Sequence, residues 1–328
     1  MIPARLSVRH ECWPLARPFT IARGSKTSAD VVVVEAEAYG HRGRGEAVPY
    51  ARYGETVPDV LDCLRAHAAS AASGLDRLTL QSRLPAGAAR NALDCALWDL
   101  ESKISGEPVW YRAGLPPPKA TMTAETISLD AADAMAEQAA ALRSRPLLKV
   151  KLAADDPIGR LAAVRRAAPA ARLIVDANEG WSMQLLCDLL PAMAALGVEV
   201  IEQPLPAAED AALDGFVSPV TLCADESCHT TRDLLRLPTG YRMINVKLDK
   251  TGGFTEARRL VGEARRRGLQ VMVGCMVATS LGIAPAMLLT GLADLVDLDG
   301  PVWLAHDRDP GLTIVDGMIA PCGPALWG

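Results

Sequence analysis

LLKVKL at 147–152, RLIVDA at 172–177, VEVIEQ at 198–203, VTLCAD at 220–225 and RMINVKL at 242–248 repeat one pattern: a short apolar run carrying a charged residue at or beside its C-terminal end. Each run has the length of a strand, and Ala-, Leu- and Arg-rich stretches alternate with them, as βα units require. TMTAETI at 121–127, QVMVG at 270–274 and LVDLD at 295–299 bring the series to eight. The polar residues at the run ends, positions 151, 176, 202, 225, 247, 275 and 297, recur every 22 to 28 residues, which is the length of a strand, a helix and two short loops. Eight such units predict a closed parallel (β/α)8 barrel.

Outward from the barrel, the chain before GLPPPKA (114–120) reads differently. ARLSVRH and DVVVVEAEAYG predict a small antiparallel sheet with polar, Gly-rich turns. From Ala89 to Ile104, Leu93, Leu97, Leu100 and Ile104 share a helical face, and Gly106 with Pro108 ends the segment. The expected organisation is an α+β capping domain over residues 1–115, the barrel over 116–300, and a tail over 301–328 too short for a domain, which packs back on the first.

Composition narrows the function classes. The 328 residues carry 34 basic and 39 acidic side chains, a formal charge of -5, and the basic residues form no stripe; this excludes a nucleic-acid or anionic-membrane surface. The start, MIPARLSVRHECW, lacks the apolar core of a signal peptide, so the expected location is the cytoplasm. Eight dispersed cysteines include no CxxC pair and read as free thiols. The uncharged stretch Leu269–Ala293 has the length of a membrane span. VMVG at 271–274 followed by Gly282 and Pro285 reads instead as a buried strand and an interrupted apolar helix. A homo-oligomer is left open.

The strand ends carry the chemistry. In a parallel barrel the C-terminal ends converge on one mouth, which gathers Lys149, Lys151, Asp176, Glu202, Asp225, Lys247, Asp297 and Asp299. Asp176, Glu202 and Asp225 lie on three successive strands and would repel one another in a low-dielectric mouth. Three hard oxygen donors without His or Cys suit magnesium, or manganese, with Asn178 and Glu226 as outer partners or helix caps. Lys149 and Lys151, two apart, share a face, and Lys247 comes from the opposite arc. Burial beside a metal and other ammonium groups is expected to leave a lysine neutral enough to act as a base. Removing a proton next to a carboxylate requires preorganised positive charge, which a metal supplies as Lewis acid.

KVKL, DANEGW, IEQP, ADES and NVKLDKTGG, in this order, resemble the enolase superfamily, muconate-lactonizing subgroup, over nearly the whole chain. The resemblance implies that Lys151 and Lys247 are the acid/base pair and that Asp176, Glu202 and Asp225 hold the metal. Gly274 and Cys275 stand where relatives similar to mandelate racemase have a histidine base, which favours the two-lysine version.

DLDGP at 297–301 resembles the motif with which dipeptide epimerases hold a substrate α-ammonium group; the alternative for Asp297 and Asp299 is an ion pair with Lys149 or Lys247. PFTIARGSKTSADVVVVE and RGRGEAVPYARYGET resemble the capping domain and specificity loop of bacterial L-Ala-D/L-Glu epimerases, a loop able to close over the barrel. Arg23 and Lys26 then become candidates for a substrate side-chain carboxylate, and Lys149, Thr126 and Cys275 match family substrate contacts. The implied activity is metal-dependent epimerisation of a dipeptide at the Cα of its C-terminal residue, in peptidoglycan peptide recycling. Its rivals are o-succinylbenzoate synthase, another cycloisomerase, an N-acylamino acid racemase, or a non-catalytic ligand-binding barrel. Asp297 discriminates among the enzymes, because a substrate without an ammonium group has no use for it.

Overall fold

A computed structural model describes residues 2–328. The first sheet is antiparallel, with β1 (Arg5–Ile21), β2 (Gly24–Ala38) and β3 (His41–Ala47) in that order. The run Val31–Val34 is buried at every position: Val32 and Val34 face the capping-domain core, and Val31 and Val33 join the core that continues into the barrel. Burial of both faces is what an unbroken apolar run in a strand signifies.

The helix Ala88–Ser105 packs on this sheet and is buried almost all round. Leu93, Leu97 and Leu100 lie in the capping-domain core, while Cys95 and Trp98 face the barrel. The single apolar face expected from sequence is thus one of two. Small residues make the close approach feasible: a Cβ on Gly43 would stand 2.2 Å from the Ala96 carbonyl oxygen, and one on Gly45 would stand 2.0 Å from that of Ala92. Only glycine lets the helix backbone sit there.

The TMTAETI run divides in two, contrary to the single strand expected. β4 (Thr121–Met122) leaves the barrel, and only β5 (Glu125–Ile127) enters it. Barrel strands β6 (Leu147–Lys151), β7 (Arg172–Asp176), β8 (Val198–Glu202), β9 (Thr221–Ala224), β10 (Tyr241–Val246), β11 (Gln270–Gly274) and β12 (Leu295–Asp297) follow, each parallel to its neighbour. The Ala124 N–H donates to the Val296 carbonyl at 2.8 Å and closes the seam. Full helices follow β5, β6, β7 and β10, whereas β8 and β9 are followed by 3-10 turns at Asp210–Leu213 and Asp233–Leu235. The regular sequence interval therefore conceals an irregular outer ring.

The tail contributes β13 (Thr313–Val315) and β14 (Met318–Ala320), and β14 pairs with β4. Its end reaches the capping domain: the Trp327 indole donates to the Cys95 carbonyl at 3.0 Å, and the Gly328 N–H donates to Asp99 at 2.8 Å. Among the described residues no helix is long and apolar enough to cross a membrane. The stretch Leu269–Ala293 divides into β11, the short helix Ser280–Ile283 and a 3-10 run from Ala284 to Leu292.

Candidate active site

Each barrel strand repeats its face every second residue, and the barrel interior follows that rule in layers. The lower layer is apolar: Ala124, Leu147, Ile174, Val200, Cys223, Met243, Met272 and Leu295 form one cluster. Two residues further along each strand stand Thr126, Lys149, Asp176, Glu202, Asp225, Asn245, Gly274 and Asp297. All seven side chains of this second layer are buried. Gly274 makes room for Asn245, because a Cβ there would meet the Asn245 amide oxygen at 2.4 Å. A further step of two brings Lys151, Lys247 and Asp299 to the mouth.

The charges interlock. Lys149 Nζ lies 2.7 Å from Glu202, 2.7 Å from Asp297 and 3.1 Å from Asp176. Lys151 pairs with Asp176 at 2.6 Å and Lys247 with Asp225 at 2.7 Å. Burial disfavours charge on Lys149, but Asp297, Glu202 and Asp176 outweigh it and raise its pKa. Lys247 is likewise raised, by Asp225 and Glu202 against burial. Burial alone therefore does not neutralise Lys149 or Lys247, and the expected neutral lysine belongs to the metal-bound site. The three acids differ: against burial, Lys151 and Lys149 hold Asp176 low, and Lys247 and Lys250 hold Asp225 low, whereas burial and Asp176 push Glu202 up.

Sharp turns follow β7 and β8, the strands that end in Asp176 and Glu202. Asn178, Glu179 and Gln203 adopt left-handed conformations with φ of 46°, 67° and 35°, a conformation costly for side chains other than glycine. Gln203 shows what that strain holds in place. Its side-chain amide oxygen accepts from the N–H groups of Asp225, at 2.8 Å, and Ser227, at 3.1 Å, while its side-chain NH2 donates to the Leu205 carbonyl and to the Tyr241 hydroxyl.

A cavity of about 950 Å³ lies between the mouth and the capping domain, lined by Lys151, Lys247 and Asp297 below and by Arg23, Lys26 and Tyr53 above. Asp299, expected as the last strand residue, lies just past β12; its Oδ2 accepts from the Thr126 N–H at 2.8 Å and the Trp303 indole at 3.2 Å. Burial and Asp297 push its carboxyl up to about 6. Cys275 lines the cavity as a thiol, its pKa raised by burial and by Asp297 and Asp299. Arg23, in the β1–β2 turn, is engaged by the protein itself: it donates to Glu226 at 2.7 Å, the Asn178 carbonyl at 2.7 Å, Glu179 at 3.1 Å and the Tyr50 hydroxyl at 3.1 Å. Glu226 is therefore an arginine partner rather than a helix cap, and burial with Asp225 and Asp176 pushes its carboxyl up to about 7. Lys26 lies over the Tyr50 ring, 5.1 Å from its centroid.

Residues 4–114 match the mandelate racemase / muconate lactonizing enzyme N-terminal domain, and residues 133–324 match the enolase C-terminal domain-like family. The chain belongs to the mandelate racemase / muconate lactonizing enzyme family. It is 47% identical to the L-Ala-D/L-Glu epimerase of Escherichia coli, over 96% of this chain and 98% of that one. It is 46% identical to an N-acetyl-D-glutamate racemase of a Pseudoalteromonas species, over 91% and 94%. An enolase family member from Agrobacterium tumefaciens with homology to dipeptide epimerases, solved with sodium, L-Ala-L-Glu and an ordered loop, is 49% identical, with a TM-score of 0.97 over 99% and 100% of the two chains. A dipeptide epimerase from Methylococcus capsulatus, solved with magnesium and L-Arg-D-Lys, is 32% identical, with a TM-score of 0.90 over 100% and 99%.

The acids of this family member stand around lysine ammonium groups; among the described residues no three or more His, Cys, Asp or Glu side chains close into a metal cage. The donor set still fits a hard divalent ion. Glu202 Oε2 and Asp225 Oδ1 are buried, and each lies 2.7 Å from a lysine nitrogen. Such oxygens have lone pairs to give.

Asn245 and Lys250 carry site contacts that sequence reading assigned to neither. Asn245 donates to Glu202 at 2.7 Å. The rule that turned Lys149 and Lys151 to one face, applied two residues before Lys247, finds it. Lys250 is visible in NVKLDKTGG only as a lysine in an otherwise buried turn.

Proposed function

We propose that this chain epimerises dipeptides of the L-Ala-D-Glu / L-Ala-L-Glu type by moving the Cα proton of the C-terminal residue between Lys151 and Lys247. One observation carries the reading: the two lysines stand four strands apart in an eight-stranded ring and line the same cavity, each paired with an acid of the metal-binding trio. Asp176, Glu202 and Asp225 hold magnesium, with manganese an alternative of the same ligand chemistry. When bound, the ion is a Lewis acid for the substrate carboxylate and takes up carboxylate charge that otherwise keeps the lysines protonated. The lysine on one face, as the amine, accepts the Cα proton; the lysine on the other, as the ammonium, returns one. Which lysine does which depends on the epimer bound.

Asp297 and Asp299 support an unblocked α-ammonium group, for Asp297 Oδ1 is buried and accepts no hydrogen bond. Lys149 neutralises the centre of the site, and Thr126 and Cys275 line the substrate's path. Lys26 at the start of β2 supplies positive charge for an acidic side chain, with Arg23, already paired with Glu226 and Glu179, beside it. The N-acetyl-D-glutamate racemase relative favours a second reading, racemisation of an N-acylated glutamate. The two carboxylates of Asp297 and Asp299 in the cavity lining disfavour it, since an acyl group brings no positive charge to them. A cycloisomerase substrate brings none either, and a non-catalytic barrel has no need of both lysines. A cytoplasmic place in peptidoglycan peptide recycling belongs to the same proposal, resting on the acidic dipeptide.

The test is hydrogen exchange in D2O with magnesium, offering L-Ala-L-Glu, other dipeptides and N-acetyl-glutamate. Deuterium is expected at the C-terminal Cα of the acidic dipeptide, and lost with Lys151→Ala or Lys247→Ala. Faster exchange into N-acetyl-glutamate would establish the second reading instead.

A further inference from the structure

Lys250 takes no part in the proton transfer and does not line the cavity, yet it is the most deeply buried of the lysines and arginines, with 1% of its surface exposed. It sits on the one-turn helix Leu248–Thr251 that follows Lys247. Its Nζ donates to the carbonyls of Asp225 at 2.5 Å, Asn245 at 2.8 Å and Cys228 at 2.9 Å. An ammonium group has three donors, and these contacts use all of them. The fourth neighbour, Asp225 Oδ1 at 2.7 Å, completes the surround as an ion pair.

Three carbonyls and one carboxylate around a single positive centre make an oxygen cage of the kind that holds a small cation. Here the cation is tethered to the chain. The cage joins the C-terminal ends of β9 and β10, the strands that deliver Asp225 and Lys247. It also brackets the Asp225 carboxylate, with Lys250 at Oδ1 and Lys247 2.7 Å from Oδ2. A buried ammonium whose donors are saturated by backbone cannot follow the substrate or the proton. It can fix the carboxylate beside it.

We propose that Lys250 is a positioning residue, a built-in cation that fixes the Asp225 carboxylate and the β9–β10 strand ends for divalent-metal binding. The inference rests on the reading of Asp225 as a metal ligand. Its charge, rather than its hydrogen bonds, sets metal affinity. Lys250→Gln retains amide donors for the carbonyls but removes the charge, and Lys250→Ala empties the cage.

Magnesium binding by calorimetry, with thermal unfolding of each variant, separates these roles. Lys250→Gln is expected to fold and to bind magnesium about 10–100-fold more weakly, the range found when a partner of a metal ligand is removed. Lys250→Ala is expected to regain affinity in ammonium or methylammonium chloride but not in tetramethylammonium chloride, whose ion is too large for the cage. Wild-type magnesium affinity in Lys250→Gln with only a lower melting temperature overturns the proposal, as does the same weakening of Lys250→Ala in every salt. Asp225→Asn is the control: if it binds magnesium normally, the reading of Asp225 as a ligand fails; if it does not while Lys250→Gln does, only the role of Lys250 fails.

Discussion

Asp297 keeps Oδ1 buried without a hydrogen bond while Oδ2 pairs with Lys149 at 2.7 Å. Asp297→Asn removes the charge and nearly preserves the shape. Losing one partner of a buried charge pair costs about 2–5 kcal/mol, so kcat/KM for L-Ala-L-Glu is expected to fall by roughly 30-fold or more. An equal fall for N-acetyl-glutamate would trace the loss to Lys149 instead of the α-ammonium group. Asp249 allows a prediction about pH. Its Oδ1 accepts from the Val48 N–H and the Asn91 amide, both at 2.9 Å, and burial, with Glu55 and Glu46 nearby, pushes its carboxyl up to about 7. An acid raised on folding adds stability that is complete below its unfolded pKa and is lost as pH rises through the folded one. The melting temperature is therefore expected to decline between about pH 4 and pH 7, and Asp249→Asn is expected to flatten that decline. An unchanged slope would locate the titrating group elsewhere. Sequence reading reached the charged residues at strand ends because one strand predicts its own facing. It missed the partners of Arg23, since Glu179 and Glu226 lie past the ends of β7 and β9, where strand alternation no longer predicts facing; after β7 a left-handed turn also redirects the chain.

At the scale of elements, the layered barrel interior was legible because period-two alternation places an acid or lysine two residues above each apolar neighbour. The split of TMTAETI was not. Thr121 and Met122 are diverted by pairing with β14, nearly 200 residues later, and no local pattern encodes a distant partner. The GRG segment of β3 was legible only as flexibility, whereas its glycines serve a helix–sheet contact. Gly45→Ala would place a methyl group 2.0 Å from the Ala92 carbonyl oxygen and 2.7 Å from the Ala96 nitrogen, both backbone atoms that cannot rotate away. Overpacking of this kind costs about 1–3 kcal/mol or more. Gly45→Ala is expected to lower the melting temperature while leaving magnesium affinity near normal. A variant as stable as the parent would mean that the helix can slide outward along the sheet.

For the whole molecule, the question is what keeps the capping domain registered over the mouth. Arg308 of the tail donates to Glu11 on β1 and Glu46 on β3, both at 2.6 Å, and to the Thr279 hydroxyl at 2.6 Å. Glu46 also accepts from the Thr279 N–H at 2.8 Å and from its hydroxyl. Thr279 ends the loop whose Cys275, Met276 and Val277 line the cavity, so one arginine ties cap, barrel and tail beside the site. Burial raises the Glu46 carboxyl, and Arg308 is the first group that opposes the rise. Arg308→Met is expected to leave Glu46 buried without its cation, at a cost of about 3–5 kcal/mol, measured by urea unfolding at neutral pH. The sign with pH follows. A carboxyl whose folded pKa is raised further gives stability that is complete below the unfolded value and lost as pH rises, so the deficit of Arg308→Met is expected to shrink toward pH 5. Glu46→Gln in the same chain is expected to recover most of the loss at neutral pH, because the buried amide carries no charge to strand. A deficit independent of pH and unrelieved by Glu46→Gln would assign the cost to the stacking of Arg308 on Trp13, 5.0 Å from the ring centroid, and the cap would then be held by packing rather than by charge.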